Sequence, residues 1–391
     1  MKKQVAKILY VWLIRFYSFF LKPLKVKKKL VYLMSFPKNE NGLLGTFIEQ
    51  NPTIEVTLFY EKSCECEAAQ FKKIGVTAYP IKKSLGFIKK AVPLFMQARV
   101  ILCDNYFPIL AGLSLQKETT VIQIWHANGA IKRFGLEDPA TKARSSFDIK
   151  RFEQVYQQID EYIVGSKMMG QVFQNSYNAV EESIVPIGYP RSDIYFEKNR
   201  IRQKREYFYK KFPELRGRKI ILYAPTYRED KLGVYPLDIK HLYEELGNEY
   251  VLIMKKHPHI ITPLVENHYE SFFYDNVHDF SIEDLLVVTD CLITDYSSVP
   301  FEFTLLDNAK KIIFYCYDQD AYNQRTGIQR NFKEWAPGEI VSSMDGVIAA
   351  IKKENKIDFN QFNEKWNTYN DGHSKERVIK HIQKKYDYLL S

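Results

Sequence analysis

One stretch limits the possible folds of this chain more than any other: an apolar, β-branched run that ends in a polar corner. The run covers residues 287–294, and Asp295, Ser297 and Ser298 follow it, before Pro300 and a second apolar run. A continuous apolar run is typical of a strand buried on both faces of a parallel sheet, and Pro300 favours the first turn of a helix. The stretch therefore predicts a strand that runs directly into a helix, as in α/β folds.

The polar corner after that strand predicts an anion site. The N–H groups at a helix N-terminus attract negative charge, and the Ser297 and Ser298 hydroxyls add donors. The simpler alternative is that Ser298 only caps the helix and Asp295 only shapes the turn. A capping box places its acid three residues after the cap, whereas Glu302 lies four after Ser298. We therefore predict another role for the Glu302 carboxylate, which is to hold a ribose diol.

Similar strand-like runs recur along the chain and predict two α/β domains. They begin near residues 30, 54, 75, 98, 120 and 162 in the first half and near 219, 250, 287 and 311 in the second. The charged, aromatic segment 189–218 predicts a connecting helix, and 391 residues leave room for two cores. The predicted units are an anchor over 1–29, an N-terminal Rossmann-like domain over 30–190, and a C-terminal one over 191–391 that is closed by a final helix.

Residues 1–29 carry the whole net charge of the chain. They hold nine Lys or Arg and no acid, and removing those nine from the 56 basic residues leaves 47, equal to the 47 Asp and Glu. This location favours a membrane surface over nucleic acid. The apolar run 8–21 would form a helix of roughly 21 Å, short of the ~30 Å hydrocarbon core, and Arg15 lies in its middle. We predict an amphipathic basic helix lying on an anionic membrane; a core-packing helix and a signal or spanning segment are the alternatives.

Three strand ends in the second domain carry groups suited to a polyphosphate. Thr226 and Arg228 follow the strand near 219, His257 follows the strand near 250, and the 295–298 corner is the third. Each alone is open to an ordinary structural explanation, but together they predict convergence on phosphates at one sheet edge. The cysteines show no zinc spacing, and His257 and His259 lack a third ligand. We therefore predict no required cofactor, and expect any Mg²⁺ to arrive with the nucleotide.

The first domain offers a candidate base. Asp104 and Asn105 follow one predicted strand and His126 ends the next, over 120–126, so all three are placed for function at a carboxyl edge, and open backbone is predicted before a helix near Ile131. Phosphoryl transfer to a hydroxyl needs a proton acceptor on the acceptor side and donors around the phosphates. We assign His126 as that acceptor, although a structural histidine beside Trp125 is the simpler alternative. Motifs for P-loop nucleotide hydrolysis, dinucleotide binding, zinc proteolysis and serine hydrolysis do not occur.

Four sequence blocks resemble the CDP-glycerol glycerophosphotransferases of wall teichoic acid synthesis. The blocks are Trp125 to Gly135, Tyr223 to Arg228, Lys256 to Pro258 and Thr294 to Phe303. The resemblance implies a glycosyltransferase-B-like fold, with two domains facing a cleft, on the cytoplasmic face of the cell membrane. It implies an enzyme that transfers glycerol phosphate from CDP-glycerol and releases CMP.

The resemblance also implies roles for single residues. His126 is implied to be the base, and His257 is implied to contact the donor diphosphate. The Thr226–Arg228 and Asp295–Ser298 blocks are implied to bind donor phosphates and ribose. A Gly-x-Ser-x-x-Arg pattern ends at Arg377, which would reach the phosphates.

The residues after His126 resemble those of the primases within this family. The chain reads Trp-His-Ala-Asn-Gly-Ala-Ile-Lys, whereas polymerising members often read Trp-His-Gly-Thr-Pro-Leu-Lys. The resemblance implies addition of the first glycerol phosphate to an undecaprenyl-diphosphate-linked ManNAc-GlcNAc disaccharide. The alternatives are extension of a poly(glycerol phosphate) or ribitol-phosphate chain, a membrane-associated nucleotide-sugar glycosyltransferase, and a non-catalytic scaffold.

Overall fold

Two compact units, each built on a parallel sheet, make up the chain. The computed structural model describes residues 2–226, 236–255, 269–354 and 357–387. Unit 1 comprises residues 1–128, 134–193 and 368–391, and unit 2 comprises 129–133 and 194–367. The prediction of an α/β fold with two Rossmann-like sheets is confirmed.

In its described residues, unit 1 has a seven-stranded sheet in the order β3-β2-β1-β4-β5-β6-β7, and every neighbouring pair is parallel. The strands are β1 (Lys29–Met34), β2 (Glu55–Tyr60), β3 (Thr77–Pro80), β4 (Val100–Cys103), β5 (Thr120–Gln123), β6 (Glu161–Val164) and β7 (Ile184–Pro186). The helices are α1 (Lys2–Phe20), α2 (Leu43–Gln50), α3 (Glu65–Lys73), α4 (Leu85–Met96), α5 (Pro139–Lys142), α6 (Ser146–Tyr156) and α7 (Lys167–Tyr177). The strand order reverses between β1 and β4, and ligands of such sheets bind beyond the strand ends at that reversal.

Over its described residues, unit 2 has a six-stranded parallel sheet in the order β10-β9-β8-β11-β12-β13, so its reversal lies between β8 and β11. The strands are β8 (Lys219–Tyr223), β9 (Tyr250–Met254), β10 (Phe273–Tyr274), β11 (Cys291–Thr294), β12 (Lys311–Tyr315) and β13 (Glu339–Val341). The helices are α8 (Lys198–Lys211), α9 (Ile239–Leu246), α10 (Ile282–Leu286), α11 (Val299–Phe303), α12 (Gln319–Arg325), α13 (Phe332–Trp335), α14 (Met344–Lys352) and α15 (Asn360–Trp366).

The last helix, α16 (Ser374–Asp387), packs on unit 1, whereas the predicted division placed it in the C-terminal domain. Its apolar face carries Val378, Ile379 and Ile382 into the core formed by β1, β2 and α2. On the flank of that face, His381 Nε2 lies 2.7 Å from the Glu161 carboxylate at the start of β6. Apolar burial and this hydrogen bond explain why the chain returns to its first unit.

Some element boundaries differ from the predicted ones because local hydrogen bonds override the apolar pattern. Strand β11 begins at Cys291, since residues 287–290 form the turn after α10, in which Val288 N–H donates to the Leu285 carbonyl at 3.1 Å. Strand β5 ends at Gln123, three residues before His126. The helix predicted near Ile131 is absent from these described residues; the segment 129–133 instead makes a bridge from Lys132 to Ile328.

Helix α1 is docked on unit 1 by its inner face. Val11, Ile14 and Ser18 are buried, and the Ser18 hydroxyl donates to the Gly112 carbonyl at 3.2 Å. The fit requires glycine at 112, because a Cβ there would lie 2.7 Å from Ile14 Cβ. The core-packing alternative is therefore right for the inner face, and membrane contact by the outer face stays a prediction. None of the described helices combines the length and apolar character needed to cross a bilayer.

Candidate functional site

His126 lies just beyond β5 with its ring fixed on two sides. Its Nδ1 is 2.8 Å from the backbone carbonyl oxygen of Asp104. Because a carbonyl oxygen only accepts, Nδ1 carries the proton of the neutral ring and Nε2 presents a lone pair. The Phe36 ring stacks on the imidazole, with 3.9 Å between centroids and 8° between planes. A fixed tautomer in a fixed orientation suits a proton acceptor.

Asp104 organises the strand ends beneath this histidine. It is fully buried after β4, and its carboxylate accepts from Ser35 N–H, at 3.0 and 2.9 Å to its two oxygens, from the Ser35 hydroxyl at 2.8 Å and from Phe36 N–H at 3.0 Å. Burial raises the pKa of Asp104 to about 6, against the opposing effect of those hydrogen bonds. Its place directly after an apolar strand marked Asp104 for function, and the described contacts show it holding the neighbouring strand end and the His126 ring.

The backbone that carries His126 is strained and held from two sides. Trp125 has φ of 52°, a left-handed conformation that is rare for a bulky residue. Asn39 Nδ2 donates to the Trp125 carbonyl at 2.6 Å. Arg191 Nη1 donates to Asn39 Oδ1 at 3.1 Å and also to the His126 carbonyl. We call Asn39 and Arg191 the carbonyl clamp. The sequence carried no local signal for it, because its members lie 86 and 65 residues from the carbonyls they hold.

Asn105 lies beside this group at the end of β4. It is half-buried, and its carbonyl accepts a hydrogen bond from Gln123 Nε2 at 3.1 Å. Gln123 Oε1 in turn accepts from Trp125 N–H at 3.0 Å. The structure thus joins Asn105 to the turn before His126 through its backbone, and contact of its side chain with a substrate stays a prediction.

In unit 2, the ends of β8 and β11 flank the reversal in strand order, where the anion site was predicted. Asp295 is buried, and its Oδ1 accepts from the backbone N–H groups of Thr226 at 2.8 Å and Tyr296 at 2.6 Å. This carboxylate joins the two strand ends and so shapes the corner that presents the half-buried Ser297 and Ser298. Binding of phosphates by Thr226 and the two serines stays a prediction.

Helix α11 begins at the predicted place but is only one turn long. Pro300 lies in its first turn, Ser297 Oγ accepts from Val299 N–H at 3.3 Å, and Ser298 makes no side-chain cap bond. Glu302 is therefore not a cap partner, as predicted. Its carboxylate is buried and accepts from the Tyr195 hydroxyl at 3.1 Å. Because α11 is so short, its macrodipole is weak. The serine hydroxyls and the backbone N–H groups are therefore the main donors that this corner offers to an anion.

The remaining predicted site residues fall into two groups. Arg228 and His257 lie outside the described residues. Arg377 lies in unit 1, where its guanidinium binds both Asp371 oxygens at 2.8 Å and donates to the Ile187 carbonyl at 2.8 Å. A phosphate would have to compete with this ion pair, so the described contacts give Arg377 a role in holding the segment before α16.

A cavity of about 700 Å³ opens at the opposite, amino edge of the unit 2 sheet. Its cations are already engaged: Lys310 pairs with Asp290 at 2.5 Å, and Lys311 Nζ donates to the Ile351 carbonyl at 2.8 Å. A nucleotide phosphate would therefore have to displace existing partners of these lysines. Within the part of the chain that the structure describes, no group of three or more His, Cys, Asp or Glu is placed to hold a metal ion.

Comparison with known proteins identifies relatives that match most of the chain. The family model described as CDP-glycerol:poly(glycerophosphate) glycerophosphotransferase matches residues 15–384. The teichoic acid glycerol-phosphate primase of Bacillus subtilis (strain 168) is 34% identical over 380 residues, which cover 96% of both chains. The teichoic acid poly(ribitol-phosphate) polymerase of Bacillus spizizenii is 32% identical over 313 residues, 77% of this chain but 49% of that protein.

Among solved structures, the wall teichoic acid polymerase TagF, in a variant soaked with CDPG, superposes with a TM-score of 0.75 at 23% identity. The match covers 100% of this chain and 98% of the other. At that identity the superposition supports the shared fold.

Proposed function

The chain belongs to the CDP-glycerol:poly(glycerophosphate) glycerophosphotransferase family and is a transferase of teichoic acid biosynthesis, and we propose that it is the priming enzyme. The proposed reaction moves glycerol phosphate from CDP-glycerol to a hydroxyl of an undecaprenyl-diphosphate-linked ManNAc-GlcNAc disaccharide and releases CMP. The match to a primase over nearly the full length of both chains supports this choice. The polymerase match covers only about half of that relative.

The observation that carries the proposed mechanism is the fixed tautomer of His126. With Nδ1 donating to the Asp104 carbonyl, Nε2 is the ring atom that accepts the proton of the acceptor hydroxyl. The hydroxyl oxygen then forms a bond to the phosphorus of the glycerol phosphate. The bond from that phosphorus to the bridging oxygen breaks, and its electron pair leaves with CMP.

Unit 2 supplies the proposed donor site. Thr226, Ser297 and Ser298 offer hydroxyl groups to the diphosphate, and Glu302 is proposed to bind the ribose. The strand-order reversal between β8 and β11 supports this assignment, because ligands of such sheets gather at that point. Arg228 and His257 are proposed to add cationic contacts. We propose no dedicated metal site, so any Mg²⁺ would come with the nucleotide.

We also propose that the protein is peripheral on the cytoplasmic face of the cell membrane. The lipid-linked acceptor requires access to a bilayer, and the basic segment 1–29 suits an anionic one. An exposed apolar face on α1 supports the same assignment.

Purified lipid-linked disaccharide and labelled CDP-glycerol provide the direct test. The wild-type protein is expected to release CMP only with acceptor present and to add one glycerol phosphate to each acceptor. His126→Ala should lower kcat by about a thousandfold, the contribution of a general base, with unchanged unfolding temperature. The matched control is His278→Ala, at an exposed histidine, which should leave kcat unchanged.

Three results would redirect the assignment. Undiminished CMP release by His126→Ala removes the proposed base. Products with many added units show a polymerase. Thermal stabilisation by nucleotide sugars instead of CDP-glycerol shows a sugar transferase, because a ligand stabilises the state it binds.

A further inference from the structure

Helix α1 presents an apolar stripe on the side opposite its docked face. Seven apolar side chains there are between 40% and 62% exposed: Val5, Ile8, Leu9, Trp12, Phe16, Phe19 and Phe20. Their three- and four-residue spacing places them along one face of the helix. Trp12 stacks on Phe16 at 5.3 Å between centroids, and Phe16 meets Phe20 at 4.8 Å. A contiguous exposed patch of this kind marks an interaction surface.

A polar pocket lies along one border of this stripe. It encloses about 390 Å³, and its lining residues are Arg15, Lys22, Ala111, Leu113, Ser114, Leu115, Gln154, Gln157 and Gln158. Arg15 stands between the buried Ile14 and the exposed Phe16 in the sequence, and it lines the pocket together with residues of the segments 111–115 and 154–158 of the protein body. The pocket therefore opens where the protein body meets the apolar stripe.

The lining has the chemistry of a phosphate site. It contains two cations, three amides and a hydroxyl, and none of these described lining residues is an acid. Arg15 Nη2 donates to the Ala111 carbonyl at 2.9 Å, which directs the guanidinium toward residues 111–114. The other N–H groups of the guanidinium remain for a ligand. Lys22 Nζ lies 5.3 Å from the Phe19 ring, which holds this cation beside the stripe.

The pocket is formed before any ligand binds, because α1 is tied to the rest of unit 1. Ser114 N–H donates to Ser18 Oγ at 3.1 Å, and Lys7 Nζ pairs with Asp148 on α6 at 3.0 Å. Gly112 allows the backbone of the turn to approach Ile14 closely. A preformed site loses little conformational entropy on binding.

We propose that this pocket binds the phosphate of an anionic membrane phospholipid, with Arg15 and Lys22 as the cations and Gln157 as a side-chain donor. The inference rests on the proposed membrane association and adds a defined head-group site to it. Aromatic side chains sit at head-group depth in a bilayer, so insertion of the Trp12–Phe16 stripe brings lipid phosphates to the level of the pocket. The nine basic residues and no acid of segment 1–29 select an anionic bilayer. Occupation of the pocket fixes the rotation of unit 1 about the axis of α1.

The test is sedimentation of the full chain with vesicles of phosphatidylglycerol mixed with phosphatidylcholine. Gln157→Glu places a carboxylate in the pocket at an exposed position, and binding should weaken by roughly tenfold, the effect of losing a charge-assisted hydrogen bond. Gln70→Glu, at an exposed position on α3, makes the same change in net charge and should leave binding about unchanged.

A second pair of variants distinguishes binding in the pocket from general electrostatic attraction between segment 1–29 and the anionic vesicles. Arg15→Gln with Lys22→Gln should bind the anionic vesicles roughly tenfold more weakly than Lys25→Gln with Lys27→Gln, which removes two charges from the same segment outside the pocket. Equal losses in the two pairs, or equal binding by Gln157→Glu and Gln70→Glu, would overturn the head-group site.

Failure of the membrane proposal itself has a different signature. Trp12→Ser with Phe16→Ser should release the protein from every vesicle; if this variant still sediments, α1 is not the membrane contact. If it is released while the pocket variants bind as wild type does, only the head-group site is wrong. Thermal stabilisation by inorganic phosphate without vesicles, lost in Gln157→Glu, would assign the pocket to a free anion and contradict a lipid site.

Discussion

At the scale of single residues, the site in unit 1 depends on neighbouring side chains that stabilise a strained turn. Trp125 occupies a left-handed backbone conformation that costs about 1–3 kcal/mol, so its neighbours must stabilise it. The carbonyl clamp binds two successive carbonyls of that turn, and Asp104 fixes the imidazole from below. The orientation of His126 is therefore set by residues outside its own segment.

Removing one side of the carbonyl clamp should affect turnover more than donor binding. We expect Asn39→Ala to lower kcat by about 10- to 100-fold, because a small misplacement of a catalytic group has costs of that size. The KM for CDP-glycerol should stay unchanged, since the proposed donor groups lie in unit 2. Steady-state kinetics checks this, with Asn199→Ala on the exposed face of α8 as control. A rise in KM at constant kcat would contradict the positioning role.

The buried Asp104 should make stability depend on pH. Because its pKa in the folded protein is about 6, above the ordinary ~3.9, the folded state keeps a proton between about pH 4 and 6 that the unfolded chain has released. Its contribution to stability is thus full below about pH 4 and is lost as pH rises through 6. The wild type should therefore lose about 3 kcal/mol of unfolding free energy relative to Asp104→Asn across that range. Urea unfolding at a series of pH values measures the difference in unfolding free energy between the two proteins. A difference that stays constant with pH would contradict the prediction.

At the scale of elements, the short extended segment 129–133 packs very closely against α11. Residues 129–133 belong to unit 2, where Arg133 N–H donates to the Gly327 carbonyl at 3.0 Å. The Phe301 ring of α11 packs so near Gly129 that a Cβ there would lie 2.2 Å from it. Trp366 and Phe362 back that ring at 5.0 and 5.3 Å between centroids, so it has little room to move.

Gly129→Ala should therefore displace the segment. We expect a loss of about 1–3 kcal/mol in unfolding free energy from overpacking, with faster hydrogen exchange at Arg133 N–H. Gly86→Ala on α4 is the matched control, because a Cβ at Gly86 meets no atom within 4 Å. This control should be neutral or slightly stabilising, since alanine favours a helix. Equal stability of the two variants would show that the Phe301 contact yields easily.

At the scale of the whole molecule, unit 1 is built from segments that lie before and after unit 2 in the chain. Helix α1 covers one part of it, and α16 returns after all of unit 2 to complete its core. Ile382 is fully buried there, and Tyr386 meets Phe47 at 6.4 Å between centroids. Unit 1 therefore depends on residues that lie on both sides of unit 2 in the sequence.

A core substitution in α16 should weaken unit 1 and spare unit 2. We expect Ile382→Ala to cost about 2–4 kcal/mol in the unfolding free energy of unit 1, the usual cost of such a cavity. Hydrogen exchange should quicken in β1 and β2 and stay slow in β8 and β11. Lys380→Ala, at an exposed position of the same helix, controls for helix propensity. A loss of protection from hydrogen exchange confined to unit 2 would show that α16 stabilises the C-terminal domain, as predicted, and not unit 1.

Much of the architecture was predictable because its signals are local. Apolar runs followed by polar strand ends predicted both sheets and the positions of His126, Asp295, Ser297 and Ser298 at their edges. Strands β7, β10 and β13 were not predicted, since two or three residues are too few to show a pattern. The C-terminal end of β5 was misplaced because Trp125 adopts a left-handed conformation and its N–H bonds to the Gln123 side chain. The start of β11 was misplaced because turn hydrogen bonds delay a strand whose preceding residues are also apolar.

By itself, the sequence determined the α/β class, the two sheets, the basic N-terminal helix and the chemistry at the strand ends, because each follows from residues close together in the chain. Only the tertiary structure decided which distant side chains support His126, why Gly112 and Gly129 must be glycine, and that α16 packs on unit 1. Those outcomes depend on contacts between segments that are up to hundreds of residues apart, such as Gln383 with Gln50 at a separation of 333 residues. Such partners are selected by the packing of the whole unit, and no local pattern records them.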